Sequence, residues 1–305
     1  MTTILITGGT GLIGKALTKK LLEKGYRVII LTRGEERSAI PGSNLSYARW
    51  DIEKQWIDKH AVEATDHIIH LAGAGIADKR WSKKRKQEIV DSRVNSSRLL
   101  ADTLERMPNK VKTVVSASAI GWYGSDKLRQ NDDGFEETAA PADDFLGETC
   151  RQWEASIEPV NSLGIRLVKL RTGIVLSREG GALKEFMRPL QFAVAAILGT
   201  GKQVISWIQI HDMVDVYIAA IENSSMTGVY NTVAPAPVTS KELTLQLARA
   251  RRKFFIPVHV PAFILKIILG EMSIEVLKSA TVSNKKLKAT GFSFQYPSID
   301  SILKS

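Results

Sequence analysis

Three glycines, at positions 8, 11 and 14, constrain this chain more than any other feature. They follow the apolar run Ile4-Leu5-Ile6, the composition of a strand buried on both faces of a parallel sheet. Beyond them Leu12, Ile13, Ala16, Leu17 and Leu21 recur at helical spacing, Lys15, Lys19, Lys20 and Lys24 take the outer positions, and Gly25 ends the pattern. Such a strand, turn and helix need one glycine for the turn's backbone angles, one where a pyrophosphate meets the main chain, and one where the helix packs on the strand. The helix N-terminus adds free N–H groups and the positive end of a dipole. A glycine-rich loop alone is often only a turn. Here a second strand follows at 28–31, so the stretch reads as a dinucleotide-binding βαβ unit, with Gly8, Thr10, Gly11, Leu12, Ile13 and Gly14 expected at the cofactor.

The end of the second strand normally sets cofactor choice. An acid there would accept both ribose hydroxyls of NAD and repel the extra phosphate of NADP. This chain has Thr32-Arg33 instead, a hydrogen-bonding hydroxyl and a planar cation suited to phosphate, so NADP(H) is favoured over NAD(H). Asp51, at the exit of a third strand over 45–48, has two roles open to it: accepting from the adenine amino group, or capping a turn. Leu71-Ala72-Gly73 closes a fourth strand with small residues against which a cofactor can lie. His67 and His70 are three apart on that strand and point to opposite faces, which excludes a metal pair. A fifth strand over 111–116 exits through Ser116 and Ser118, whose hydroxyls belong at the crevice end of a parallel sheet.

Strands and helices alternate this way to a sixth strand at 165–170, with helices expected over 83–106 and 144–160. The fold class is therefore α/β: a Rossmann-type doubly wound parallel sheet over 1–179, with later elements at about 203–233 returning to it, and a smaller C-terminal substrate lobe over 180–305. In the lobe a helix is expected from Gly180-Gly181 to about 196, a strand at 205–210 and a helix at 211–223. The acidic, turn-rich segment 126–144 reads as a flexible loop over the site.

Composition narrows the partners. The single cysteine, Cys150, excludes an internal disulfide and any multi-cysteine metal site, and fits a reducing compartment; with no secretory lead-in at Met1, a cytoplasmic protein is expected. No metal site is expected. The net charge of +10 permits anionic partners, and its densest cluster is Lys79-Arg80 with Lys83-Lys84-Arg85-Lys86. No DNA- or RNA-binding motif accompanies that cluster, so it reads as a solvated face and nucleic acid is not expected. The apolar stretch 254–269 is interrupted by Pro257, Pro261 and Lys266 and falls short of the roughly 20 residues a spanning helix needs. No membrane partner is expected on that ground, and the ligand is an unknown small molecule.

Thr7-Gly8-x-x-Gly11-x-x-Gly14, Leu71-Ala72-Gly73, Arg93-Val94-Asn95, the exit 116–124 and Leu170-Arg171-Thr172-Gly173 together resemble an extended short-chain dehydrogenase/reductase. Arg80-Trp81, Ser206-Trp207-Ile208, Ala234-Pro235, Val260-Pro261-Ala262-Phe263 and Leu269-Gly270-Glu271-Met272 resemble its "epimerase family" branch, which has its own C-terminal module. The resemblance implies hydride chemistry by a Ser, a Tyr and a Lys, with the ammonium lowering a phenol pKa from about 10. Ser118 matches the serine. Aligning the following helix on Trp153-Glu154 puts Leu146 at the tyrosine position and Cys150 at the lysine position, and neither can do that work. Tyr123 and Lys127 repeat the Tyr-x-x-x-Lys spacing, but in a turn-forming exit loop. Tyr123, Glu148 and His211 remain as candidate proton carriers, and Arg171, Arg188 and Trp207 as receivers of an anionic or aromatic ligand. Two functions stay open: an NADP-dependent epimerase or reductase of a small molecule, or a catalytically degenerate NADP(H)-binding sensor or interaction module.

Overall fold

The computed structural model describes residues 1–34, 42–128 and 132–304. The first half alternates strand and helix: β1 (Thr3–Thr7), α1 (Leu12–Glu23), β2 (Arg27–Thr32), β3 (Leu45–Asp51), β4 (Trp56–Ile57), α2 (Lys59–Glu63), β5 (His67–His70), α3 (Lys83–Arg106), β6 (Thr113–Ala119), α4 (Phe145–Ile157) and β7 (Arg166–Thr172). Then come β8 (Ile174–Ser177), β9 (Gly180–Gly181), α5 (Ala182–Leu190), β10 (Val194–Leu198), β11 (Val204–Ile205), β12 (Trp207–Gln209), α6 (Ile210–Glu222) and β13 (Gly228–Thr232). The C-terminal part holds β14 (Val238–Thr239), α7 (Ser240–Ala250), β15 (Ile256–Val260), α8 (Ala262–Leu269) and α9 (Ser273–Leu277).

The central sheet runs β13-β7-β6-β5-β1-β2-β3-β4, parallel throughout except for β4, which is antiparallel to β3. The chain builds outward from β1 to β3, then returns past β1 and builds the other way. The strand order therefore reverses between β1 and β5, where a crevice opens at the carboxyl ends. Period-two alternation divides the core. Ile4 and Ile6 of β1 pack with Leu17 and Leu21 of α1 and with Val214 and Tyr217 of α6, whereas Leu5 packs on the other face with Leu99, Leu100 and Leu104 of α3. A third cluster, including Leu183, Leu190, Trp207, Leu243 and Leu247, builds the C-terminal part.

Three expectations of local structure change. The helix opened by Gly180-Gly181 ends at Leu190, not near 196: Pro189 brings no amide donor to its last turn, Ala193 takes φ 58, and Val194–Leu198 pairs in parallel with Ile256–Val260. The strand over 205–210 divides at Ser206, whose hydroxyl donates to the Ala280 carbonyl and accepts from the Val282 amide; β11 pairs with β14 and β12 with β8. The segment 126–144, of which 129–131 lie outside the described residues, is tied down instead of loose. The Asp126 carboxylate accepts from Ser279 Oγ at 2.7 Å and the Thr281 amide at 2.6 Å, and Phe135 exchanges backbone bonds with Thr281 and Ser283.

Candidate functional site: a dinucleotide crevice and a buried polar row

The glycine loop fits a group that must touch backbone. Gly8 sits at φ +69, and a Cβ there would lie 2.9 Å from the Leu71 carbonyl. A Cβ on Gly14 would lie 2.4 Å from the Gly8 oxygen, so α1 starts tight against the turn. Gly11 is the open position, with only the Gly8 oxygen at 3.3 Å from such an atom. Gly11 is also the N-cap of α1, with no side-chain cap and no acid in the first turn, so the leading N–H groups beside Leu12 and Ile13 face outward for an anion. Thr10 is exposed beside them. The sequence motif passes over Gly9, yet a Cβ there would strike the Ile30 side chain at 2.8 Å, which holds the loop down on β2.

Thr7 anchors the crevice wall. Its Oγ1 accepts the amides of Leu71 and Ala72, each at 3.1 Å, and meets His70 Nδ1 at 2.7 Å, while His70 Nε2 meets Ser97 Oγ at 3.0 Å. Burial pushes the His70 pKa down to about 3, so the ring is a neutral strut. Gly73 passes so close to Arg93 that a Cβ would lie 3.2 Å from its guanidinium carbon. At the end of β2 the Thr32 hydroxyl accepts the Gly34 amide at 3.2 Å, and Arg33 is exposed. Asp51 Oδ1 accepts the Lys54 amide at 3.0 Å and so caps the turn after β3. Ser116, expected at the cofactor, is 1% exposed and donates to the Ala117 carbonyl, which keeps its hydroxyl within the sheet.

The opposite end of the crevice is built differently. Ser118, Arg171 and Asn231 lie side by side on β6, β7 and β13 and share one face of the sheet. Arg171 grips Glu154 of α4 in a two-point ion pair, Nε to Oε1 at 2.7 Å and Nη2 to Oε2 at 3.0 Å, and its guanidinium lies 3.7 Å over the Trp122 ring. Ser118 donates to Glu154 Oε1 at 2.7 Å, and Tyr123 donates to Asn231 Oδ1 at 2.7 Å while accepting from Arg171 Nη1 at 3.0 Å. Every member is buried, and burial pushes the Tyr123 phenol up to about 12.

This arrangement corrects the expectations for proton carriers. Tyr123 has no exposed surface and both sides of its hydroxyl are engaged, so it cannot reach a ligand; Lys127 sits in the separate turn at 126–128 and does not pair with it. Ser118 is committed to Glu154. Glu148 is exposed and held by Arg151 and Gln152, which pull its pKa down to about 2 and keep it charged near neutrality. Leu146 and Cys150 both face Gly121, where a Cβ would meet them at 3.2 and 3.6 Å, and burial pushes the Cys150 thiol up to about 12. His211 is exposed, its Nδ1 3.0 Å from Gln209. Of the residues expected to receive a ligand, Arg171 and Trp207 are buried, and Arg188 is exposed with Glu185 at 3.2 Å.

Among the described residues no group of acids, histidines or cysteines could hold a metal, and no helix is long and apolar enough to cross a membrane.

Comparison with known proteins agrees with this layout. The NAD-dependent epimerase/dehydratase family model matches residues 4–149, and a domain of unknown function, DUF1731, matches residues 260–305. The chain is 35% identical over 299 residues to epimerase family protein YfhF of Bacillus subtilis, covering 97% of this chain and 95% of that one. It superposes on human epimerase family protein SDR39U1, crystallised with NADPH, with a TM-score of 0.85 and 27% identity over 99% of this chain and 98% of that one. It shares the fold of UDP-glucuronic acid 4-epimerase from Bacillus cereus, solved with UDP-glucuronic acid and NAD, at a TM-score of 0.79 and 19% identity over 99% and 97% of the two chains.

Proposed function

The chain belongs to the epimerase family of short-chain dehydrogenases/reductases, and on that premise we propose that its crevice holds NADP(H) and that it acts on a small molecule by hydride transfer, as an epimerase or a reductase. The observation that carries this is the glycine cradle, closed by backbone at Gly8 and Gly14 and open at Gly11 over an uncapped helix N-terminus. Bound there, NADP(H) supplies a hydride donor or acceptor. This chain's residues bind and orient it: the first-turn amides of α1 meet the pyrophosphate, Ala72 and Gly73 give it a flat backbone wall, and Arg33 meets the phosphate that distinguishes NADP from NAD. The NADPH in the human relative supports the same preference.

A second reading has its own observation. Leu146 and the buried, protonated Cys150 stand where the wider family's Tyr and Lys are expected, and Ser118 and Tyr123 are spoken for by Glu154, Arg171 and Asn231. A crevice without a placed acid or base favours a protein that holds its cofactor without turnover and is recognised by a partner in the loaded form.

Parallel fluorescence titrations of cofactor-stripped protein with NADPH and NADH test the binding claim, and equal affinities overturn the preference. Oxidation of bound NADPH on adding small carbonyl compounds, or reduction of bound NADP+ on adding the corresponding alcohols, marks the enzyme. Tight binding with neither, together with a partner whose affinity depends on cofactor, marks the sensor.

A further inference from the structure

Outside the crevice, the C-terminal module carries an apolar face that no described residue covers. Of the twelve large hydrophobic side chains exposed among the described residues, eight lie within 192–274, with Phe254 78%, Phe263 65%, Ile267 69% and Ile268 62% exposed. The Ile256 amide donates to the Ala193 carbonyl at 2.8 Å, which sets Phe192 beside the start of β15, and β15 runs through Pro261 directly into α8. In α8 only Leu265 is buried, so Phe263 and Ile267, one turn apart, face away from the core. Ile274 on α9, the next helix, is exposed as well. Apart from Lys266, α8 is apolar all round, and such a helix normally lies in a protein core or in lipid.

Charge frames this face on two sides. Residues 249–270 contain Arg249, Arg251, Arg252, Lys253 and Lys266 and no Asp or Glu. Arg251 bonds the Leu190 carbonyl; Arg249, Arg252, Lys253 and Lys266 are exposed and form no ion pair among the described residues. The far end of α8 meets the other basic cluster. Gly270 sits so close to Arg80 that a Cβ would lie 2.7 Å from its Nε, and Lys86 pairs with Glu271. Lys79, Arg80, Lys83 and Lys84 are exposed there.

We propose that this face docks on an anionic lipid bilayer, with Phe263 and Ile267 among the acyl chains and the two basic clusters on the headgroup phosphates. The helix is eight residues long and lies in the interface without spanning it. A second copy of this chain fits less well, because residues 249–270 offer no carboxylate to its exposed cations and Glu271, the next residue, is already paired with Lys86. Nucleic acid would satisfy the cations and leave Phe263 and Ile267 in water. Apolar insertion and cation attraction act together on an anionic membrane.

Co-sedimentation of the full chain with sucrose-loaded vesicles tests this, comparing phosphatidylcholine alone with a mixture containing one-third phosphatidylglycerol. Binding is expected only to the mixture. Ile267→Glu should lower it roughly tenfold or more, and Lys84→Gln roughly fivefold. Both positions are exposed or solvent-facing, so melting temperature and NADPH titration should match the parent and separate lost docking from misfolding. Absence of binding to the mixture overturns the proposal, as does binding that Ile267→Glu leaves unchanged. A dimer in sedimentation equilibrium that Ile267→Glu makes monomeric, without vesicle binding, assigns the face to a second copy. Retardation of a DNA or RNA duplex without vesicle binding assigns the cations to nucleic acid.

Discussion

The two ends of the crevice use polar groups in opposite ways. At the glycine loop the groups are left open: the N-terminus of α1 has no side-chain cap, Gly11 has no side chain, and Arg33 stands exposed just past β2. At the β6–β7–β13 end they are consumed internally, with Ser118, Tyr123, Glu154, Arg171 and Asn231 all buried and bonded to one another. Open polar groups are unfinished without a ligand, whereas satisfied ones are finished by the fold. The first end therefore binds, and the second holds three strands and α4 in register. Substitutions should separate them, with losses of stability at one end and losses of cofactor at the other.

The largest effect should come from breaking the buried pair. Arg171→Met strips Glu154, 5% exposed, of its two-point partner and leaves it the Ser118 hydroxyl and Lys169 Nζ at 4.0 Å, which should cost about 3 kcal/mol of stability. The shift of the urea midpoint measures it. A loss under about 1 kcal/mol would mean that the pair is poorly formed and the row is available to a ligand after all. At the other end Arg33→Asp should weaken NADPH roughly tenfold or more, leave NADH far less affected, and barely change the urea midpoint. Equal losses for the two cofactors would break the contrast.

The same division explains what could be read from the sequence. Six strands of the central sheet, β1 to β3 and β5 to β7, announce themselves as short runs rich in apolar residues punctuated by turn residues, whereas the two-residue β4 does not. The glycine loop is legible because its requirements are local. The polar row is not, since Ser118, Glu154, Arg171 and Asn231 come from four elements and meet only through sheet register. One signal was available: Leu146, Cys150, Trp153 and Ile157 mark a buried stripe on α4, and Glu154 falls within it, so a carboxylate there needs a buried partner. The strand β10 escaped notice because a partner some sixty residues later, Ile256–Val260, decides it. The exposure of α8 was equally hidden, since its composition is that of a core helix.

His70 links the two ends, because it braces Thr7 under the glycine loop but behaves as a core residue. Unfolded, its imidazole takes up a proton near pH 6.5; folded, it does so only at about 3. The unfolded chain thus binds the extra proton between those values. The stability His70 contributes is complete above pH 6.5 and is lost as pH falls from there towards 3, at about 1.4 kcal/mol per pH unit. His70→Gln should flatten the stability profile by that slope below pH 6.5, while His67 acts alike in both proteins. Identical slopes would mean that His70 is solvated, and that the wall of the crevice is looser than its bonds to Thr7 and Ser97 imply.

The smallest expected effect is the sharpest test of the contrast. Tyr123→Phe removes a hydroxyl that donates to Asn231 and accepts from Arg171, while the ring keeps its stacking on Phe135 at 5.1 Å. Arg171 retains Glu154, the Glu137 carbonyl and the Trp122 face, and Asn231 Nδ2 keeps its bonds to the Phe135 and Ser283 carbonyls, but the buried Asn231 Oδ1 loses its donor. The cost should be about 1–2 kcal/mol, that of one buried acceptor left without its donor, read as a modest drop in urea midpoint. NADPH affinity and any NADPH oxidation should be unchanged. Loss of oxidation at unchanged affinity and stability would return Tyr123 to the chemistry, and would require the buried row to open when a ligand arrives.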